Sequence, residues 1–161
     1  MTWRLYGSLP NGFAAHLQKW KIEPRKQFLS AERALDAASS GPLWLRDPEI
    51  AGYAERAIRF GAELGHYKLR AYVVMPNHVH ALLEPLVSLH KLMGGIKGVS
   101  AHDANAKLGR SGKPFWQDES FDHWIRDAAQ FARTKAYIER NPVKARLCLK
   151  PEDWPWSSAH R

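Results

Sequence analysis

Cysteine is nearly absent: Cys148 is the only one in 161 residues. No internal disulfide can form, and no thiolate cluster can hold a structural zinc. A reducing compartment fits that usage, and a cytoplasmic protein is expected. Long apolar runs are missing as well. None approaches the ~20 residues of a membrane span, and the N-terminus lacks the apolar segment of a secretory signal. Negative charge is in short supply: 16 Asp and Glu stand against 24 Lys and Arg, a net charge of +8 and a pI of about 9.8. Internal repeats and low-complexity tracts are absent. A membrane protein and a disulfide-stapled secreted domain are therefore not expected.

What is present is a sizeable core and many rings. The chain is 45% hydrophobic, with seven Trp, five Tyr and six Phe. Its length fits a single domain spanning 1–161. The positive charge is spread: 11 basic against 8 acidic residues in 1–85, and 13 against 8 in 86–161, an excess of three and then five. A basic globular domain rich in aromatics suggests a polyanion whose bases can stack, such as single-stranded nucleic acid. Ordinary solvated Lys and Arg give the same composition.

The local patterns alternate between strand and helix. Thr2 to Leu9 alternates as a strand, and Pro10-Asn11-Gly12 ends it. Residues 10–46 read as an insertion before the first core helix. Within it, Ser30 to Ala38 is helical in composition, with Ser30 as its cap. Asp47-Pro48-Glu49 opens a helix to Gly65 with an N-cap, a first-position proline and an acidic first turn. Leu69–Val74 and His78–Glu84 form two strands around the Met75-Pro76-Asn77 turn. Ser88 starts a helix ending near Leu108. Phe115 to Arg126 reads as a fourth strand with irregular ends, and Asp127 caps the next helix. The order is β-α-β-β-α-β plus a C-terminal helical extension. That is a ferredoxin-like α+β arrangement: an antiparallel sheet, helices on one face, the other face open.

Two places carry chemistry. Successive strand residues point to opposite faces, so His78 and His80 share a face with Leu82 and Glu84. Two imidazoles on one strand make half of a metal site; two polar residues on an open sheet face are the plainer reading. On a wheel of the helix 127–140, Ala128, Phe131 and Ile138 mark a core face. Arg133, Tyr137, Arg140, Asn141 and Lys144 fall opposite. A tyrosine among cations is a candidate nucleophile, because positive charge favours the phenolate; an exposed packing tyrosine is the alternative. Asn141 precedes Pro142, so it suits either the N-cap of a short helix 142–147 or a ligand oxygen. Lys97, Lys107, Arg110, Lys113 and Trp116 are candidates to hold nucleic acid, against solvated cations and a core tryptophan.

His78-Val79-His80 followed by the lone helical Tyr137 resembles the HUH single-tyrosine transposases. The wider text is closer to the REP-associated tyrosine transposases. Segments matching that group include Val73-Val74-Met75-Pro76-Asn77-His78-Val79-His80, Phe115-Trp116-Gln117, Tyr137-Ile138-Glu139-Arg140-Asn141-Pro142 and Asp153-Trp154-Pro155-Trp156. The resemblance implies Tyr137 as nucleophile, and His78, His80 and Asn141 as ligands of Mg²⁺ or Mn²⁺. It implies cleavage and rejoining of single-stranded DNA at hairpins, including REP-like palindromes, through a 5′-phosphotyrosyl intermediate. A bacterial, nucleoid-associated monomer or homodimer would follow. Three rivals share parts of the pattern: a domesticated hairpin-binding protein without catalysis, a replication or mobilisation nickase, and a hydrolase using metal-bound water.

Overall fold

Four strands form one antiparallel sheet. A computed structural model describes residues 1–10, 13, 23–37 and 41–160. Its elements are β1 (Thr2–Leu5), α1 (Pro24–Ala37), α2 (Pro48–Glu63), β2 (Tyr67–Val74), β3 (His78–Pro85), α3 (Leu89–Lys107), β4 (Trp116–Phe121) and α4 (Ala128–Lys144). Short 3₁₀ turns lie at Trp44–Arg46 and Pro151–Asp153. The sheet runs β2-β3-β1-β4 with every pairing antiparallel. Other residues of the expected 10–46 insertion, Ser39 and Ser40 of its loop included, lie outside the described ones.

Helix starts follow the caps read in the sequence. The Asp47 side chain accepts from Glu49 N at 2.9 Å, with Pro48 at the first helical position of α2. Ser88 caps α3, and the Asp127 side chain accepts from Gln130 N at 2.7 Å to start α4. Each cap satisfies a backbone donor that the first helical turn leaves unpaired. Three boundaries differ most from expectation, while β2 starts two residues early, at Tyr67. β1 stops at Leu5, where Tyr6-Gly7 turns with Gly7 at a positive φ of 75°. β4 stops at Phe121, so Asp122 to Arg126 is irregular rather than strand. α1 begins at Pro24, six residues before the expected cap, so Ser30 lies inside the helix.

The sheet separates two cores. Trp3, Leu5, Tyr72, Val74, Val79 and Ala81 face α2 and α3 and bury Ile50, Ile58, Leu92 and Ile96. Ala71, Val73 and Leu82 point the other way and bury Ile138 of α4. The face read as open is therefore covered, because α4 lies on β2 and β3. The core stripe of α4 also differs from the wheel: Ile138, Asn141 and Pro142 are buried, while Ala128 and Phe131 are exposed. Past α4 the chain returns along the open edge of β2. Val74 N donates to Trp156 O at 2.8 Å, and Ser158 N to Tyr72 O at 3.0 Å. That pairing covers backbone groups an edge strand would leave exposed.

Candidate active site

His78 and His80 sit mid-sheet on β3, on the α4 side, at 0% and 2% exposure. β3 has neighbours on both sides, so its backbone cannot shift to accommodate a misplaced ring. The two Nε2 atoms face each other at 3.0 Å. Behind them, each Nδ1 has a partner. His78 Nδ1 lies 2.7 Å from Asn77 Oδ1, and His80 Nδ1 lies 2.8 Å from Thr2 Oγ1. The Asn77 amide is oriented by its Nδ2, which donates to Leu35 O at 3.0 Å. Its Oδ1 must then accept from His78 Nδ1–H, which leaves a lone pair on His78 Nε2. Burial holds both imidazoles neutral. The His78 pKa falls to about 3, mainly by desolvation and then by the charge of Lys144, and that of His80 falls well below its usual value.

α4 supplies the next two groups. Tyr137 and Asn141 are one turn apart on the same side of the helix, facing the sheet. The Tyr137 ring meets the His80 ring edge-on at 6.0 Å, and Lys144 Nζ stands 5.5 Å over the Tyr137 ring. Asn141 is fully buried, and neither its Oδ1 nor its Nδ2 has a hydrogen-bond partner. It does not cap a new helix, because α4 runs unbroken through Pro142 to Lys144. With the cap excluded, its side-chain amide is left beside Tyr137 without another use. Tyr137 is half-buried, not displayed on a cationic face. Desolvation and then the Glu32 carboxylate raise its pKa well above the ordinary tyrosine value, so it is a neutral phenol at physiological pH.

The third contribution comes from α1, the segment least informative in the sequence. Glu32 is 3% exposed, with Oε1 3.5 Å from His80 Nε2. Asp36, one turn on, has Oδ1 3.9 Å from His78 Nε2 and Oδ2 2.8 Å from Lys144 Nζ. Burial raises the Glu32 pKa against the pull of Tyr137 and Lys144. The available signal was positional: Phe28, Glu32, Leu35 and Asp36 share one helical face, so two carboxylates interrupt an apolar stripe. Asn77 was read only as a turn residue and Thr2 only as a strand residue.

These groups suit a small divalent cation. Glu32 Oε1, Asp36 Oδ1, Asn141 Oδ1 and the Tyr137 hydroxyl are buried without partners beside two imidazole nitrogens. Buried polar atoms are ordinarily paired, and an ion answers several at once. An octahedral ion with ligands at ~2.1 Å spaces neighbouring ligands about 3 Å apart, which the Nε2 pair matches. As they stand, no three His, Cys, Asp or Glu side chains among the described residues close on one point. The set therefore relies on the Asn141 amide or on a small inward turn of a carboxylate.

A groove of about 630 Å³ leads from solvent to His80 and Tyr137, lined in part by Phe28, Phe121, His123, Gln130 and Arg133. Phe28 stacks on Phe121 with ring centroids 4.1 Å apart. Trp124, in the segment joining β4 to α4, lines a second pocket against the end of β3 and is 69% exposed.

Several expected nucleic-acid contacts are used otherwise. Trp116 is buried and donates from Nε1 to Ser100 Oγ at 2.9 Å, with Trp3 against its edge; it is a core residue. Lys97 spends its ammonium on the carbonyls of Gln117 and Asp118, both at 2.9 Å. Lys107 pairs with Glu49, and Arg110 lies 4.4 Å over the Trp44 ring. Lys113 is exposed. Lys97 and Lys107 ride on α3, across the sheet from the histidines. Arg133 lines the groove, Arg140 is exposed on the same helix, and Lys144 is held by Asp36.

Comparison with known proteins identifies a family. The family described as "Transposase IS200 like" matches residues 44–141, a span from the 3₁₀ turn before α2 to Asn141.

The chain belongs to the IS200-like transposase family.

The family match includes both histidines, Tyr137 and Asn141; α1 lies outside it. The chain is 30% identical over 98 residues to the REP-associated tyrosine transposase of Escherichia coli (strain K12). That stretch is 59% of this chain and 56% of the relative, so the chain spans little more than half the length of the curated relative. A solved structure of a REP-associated tyrosine transposase, described as bound to a REP hairpin, superposes with a TM-score of 0.62 at 20% identity. It covers 99% of this chain and 74% of the other, a likeness of fold. No described helix is long and apolar enough to cross a membrane.

Proposed function

We propose that this transposase cleaves and rejoins single-stranded DNA beside a hairpin, REP-like palindromes included, using Tyr137 as nucleophile. One observation carries the reading: two buried imidazoles meet with their Nε2 atoms 3.0 Å apart, the Tyr137 ring lies edge-on to His80, and Asn141, one helical turn beyond Tyr137, is buried with an unpartnered amide. His78, His80 and Asn141 would hold Mg²⁺ or Mn²⁺. A divalent cation there would polarise the scissile phosphate as a Lewis acid and favour the phenolate.

The residues divide the remaining work. Tyr137 Oη attacks phosphorus in line; the Tyr–O–P bond forms and the bond to the 3′ oxygen breaks. The products are a 5′-phosphotyrosyl enzyme and a 3′-hydroxyl, once that oxygen takes a proton. One phosphodiester replaces another, so a second hydroxyl reverses the step without ATP. Arg133 lines the groove by which the strand reaches Tyr137, and exposed Arg140 lies further along the same helix, where it steadies phosphates; Lys144 stays paired with Asp36 over the tyrosine ring. Exposed Trp124 offers a face on which an unpaired base stacks.

The test mixes the protein with labelled hairpin DNA bearing single-stranded flanks, with Mn²⁺ or Mg²⁺, and looks for a covalent adduct on a denaturing gel. A metal-dependent adduct is expected, and Tyr137→Phe should abolish it. Cleavage that survives in Tyr137→Phe would instead identify a nuclease using water. Binding without cleavage, across hairpins and both metals, would identify a binding-only descendant.

A further inference from the structure

The carboxylates of α1 are aimed, not merely nearby. Phe28 anchors the helix by stacking on Phe121 of β4, and Leu35 is 4% exposed against the sheet. The Asn77 side chain, adjacent to His78, ties the last turn by donating to Leu35 O. Glu32 lies between these anchors on the same face, so its side chain must enter the site.

The neutral Tyr137 hydroxyl and the Lys144 charge both act on Glu32, yet burial outweighs them. A buried carboxylate normally has an ion-pair partner or several donors, because desolvating the charge is costly. Lys144 is committed to Oδ2 of Asp36. The Nδ1 atoms of the histidines are taken by Asn77 and Thr2, and their Nε2 atoms face each other. Oε1 of Glu32 is left with no hydrogen-bond partner, as are both polar atoms of the fully buried Asn141. Two groups from different helices thus bring unsatisfied atoms into one buried site: Glu32 lies 3.5 Å from His80 Nε2, and Asn141 lies beside Tyr137, whose ring meets His80. A cation answers both, and the carboxylate supplies the negative charge that two imidazoles and an amide lack.

We propose that Glu32 is a ligand of the divalent cation beside His78, His80 and Asn141, with Asp36, fixed by Lys144, as the outer anion of the site. This rests on the reading of that site as a cation site. The move required is small: Glu32 Oε1 is 3.5 Å from His80 Nε2, about half an ångström beyond neighbouring ligands of an octahedral ion. The ligand lies outside the 44–141 span of the family match. An anionic oxygen ligand also lets the protein load Mn²⁺ or Mg²⁺ before DNA arrives.

The experiment titrates Mn²⁺ into the DNA-free full chain and follows the loss of the free-ion signal by electron paramagnetic resonance. Wild type, Glu32→Gln, His78→Ala and the off-site Glu63→Gln are compared, with circular dichroism as the folding control. Glu32→Gln should weaken Mn²⁺ binding at least tenfold and lose the Mn²⁺-induced rise in Tm, while Glu63→Gln binds as wild type. Wild-type affinity in Glu32→Gln, with binding lost in His78→Ala, would overturn the Glu32 assignment alone. No Mn²⁺ binding by wild type would overturn the cation site itself, and the adduct assay reads Tyr137 separately. Should Glu32→Gln fail to fold, Glu32→Asp keeps the charge on a shorter arm: weakened binding supports the assignment, and unchanged binding overturns it.

Discussion

Asn77 sets which nitrogen of His78 is free. Its amide is locked by Leu35 O, so its oxygen takes the Nδ1 proton and leaves Nε2 as a lone pair. Outer partners of this kind orient a ligating imidazole and raise its basicity; losing one typically costs 10–100-fold in metal affinity. Asn77→Ala should therefore weaken Mn²⁺ binding by that order while the protein stays folded, read by the same titration used for Glu32. Asn77→Asp should retain most of the affinity, because an acceptor remains beside Nδ1. Equal binding by wild type and Asn77→Ala would leave Asn77 as a turn residue only. Tyr137 and Glu32 also belong at this scale. Each is a single atom's worth of chemistry whose behaviour is set by what faces it. In the sequence the histidine pair and the tyrosine were legible because strand alternation and motif order need no tertiary information. Glu32 was not, since nothing along the chain places α1 over β3.

Helix α4 does two jobs with one face. Ile138 seals the second core while Tyr137 and Asn141, one position before it and three after it, reach the histidines. The helix must hold its rotation to within a fraction of a residue, because 100° separates successive side chains. Its N-terminal cap helps fix that rotation. Asp127→Ala removes the bond to Gln130 N and should cost about 1 kcal/mol of stability, seen as a lower urea midpoint. Adduct formation should fall more than this stability loss alone explains, because a frayed first turn lets Tyr137 wander. An unchanged urea midpoint would mean the cap is not holding the helix. The sequence reading placed this cap correctly and misjudged the face. Ala128 and Phe131 satisfied the apolar pattern, but the sheet receives α4 on its middle and last turns, where the buried positions are Ile138, Asn141 and Pro142.

Across the molecule, two tyrosines join α2 to β2. Tyr67 OH donates to Ile58 O, and Tyr72 OH donates to Glu55 at 2.6 Å while accepting from Arg59 at 2.8 Å. Burial raises both pKa values to about 12, with Glu55 adding to the effect at Tyr72. The unfolded chain ionises its tyrosines near pH 10. The folded state keeps these two protonated, so their contribution is intact below pH 10 and is lost as pH rises through 12. Urea midpoints should be level from pH 8 to 10 and fall steeply between 10 and 12, with a shallower fall in Tyr67→Phe. A flat profile to pH 12 would show that neither phenol is coupled to folding.

Much of this protein is determined by local rules that sequence alone obeys. The three helix caps, the Pro76-Asn77 turn, the shared face of His78 and His80, and the β-α-β-β-α-β order depend on neighbours a few residues apart. The absence of a disulfide framework and the basic, aromatic composition need no fold at all. The tertiary structure decided what sequence spacing cannot encode. It turned the Tyr137–Asn141 side of α4 inward, sank Trp116 into the core, committed Lys97, Lys107 and Arg110 to local partners, and brought Glu32 and Asp36 beside the imidazoles. Those outcomes depend on which surfaces of distant segments bury one another. Glu32, 48 positions before His80, becomes its neighbour only when the sheet, α4 and α1 compete for the same buried space.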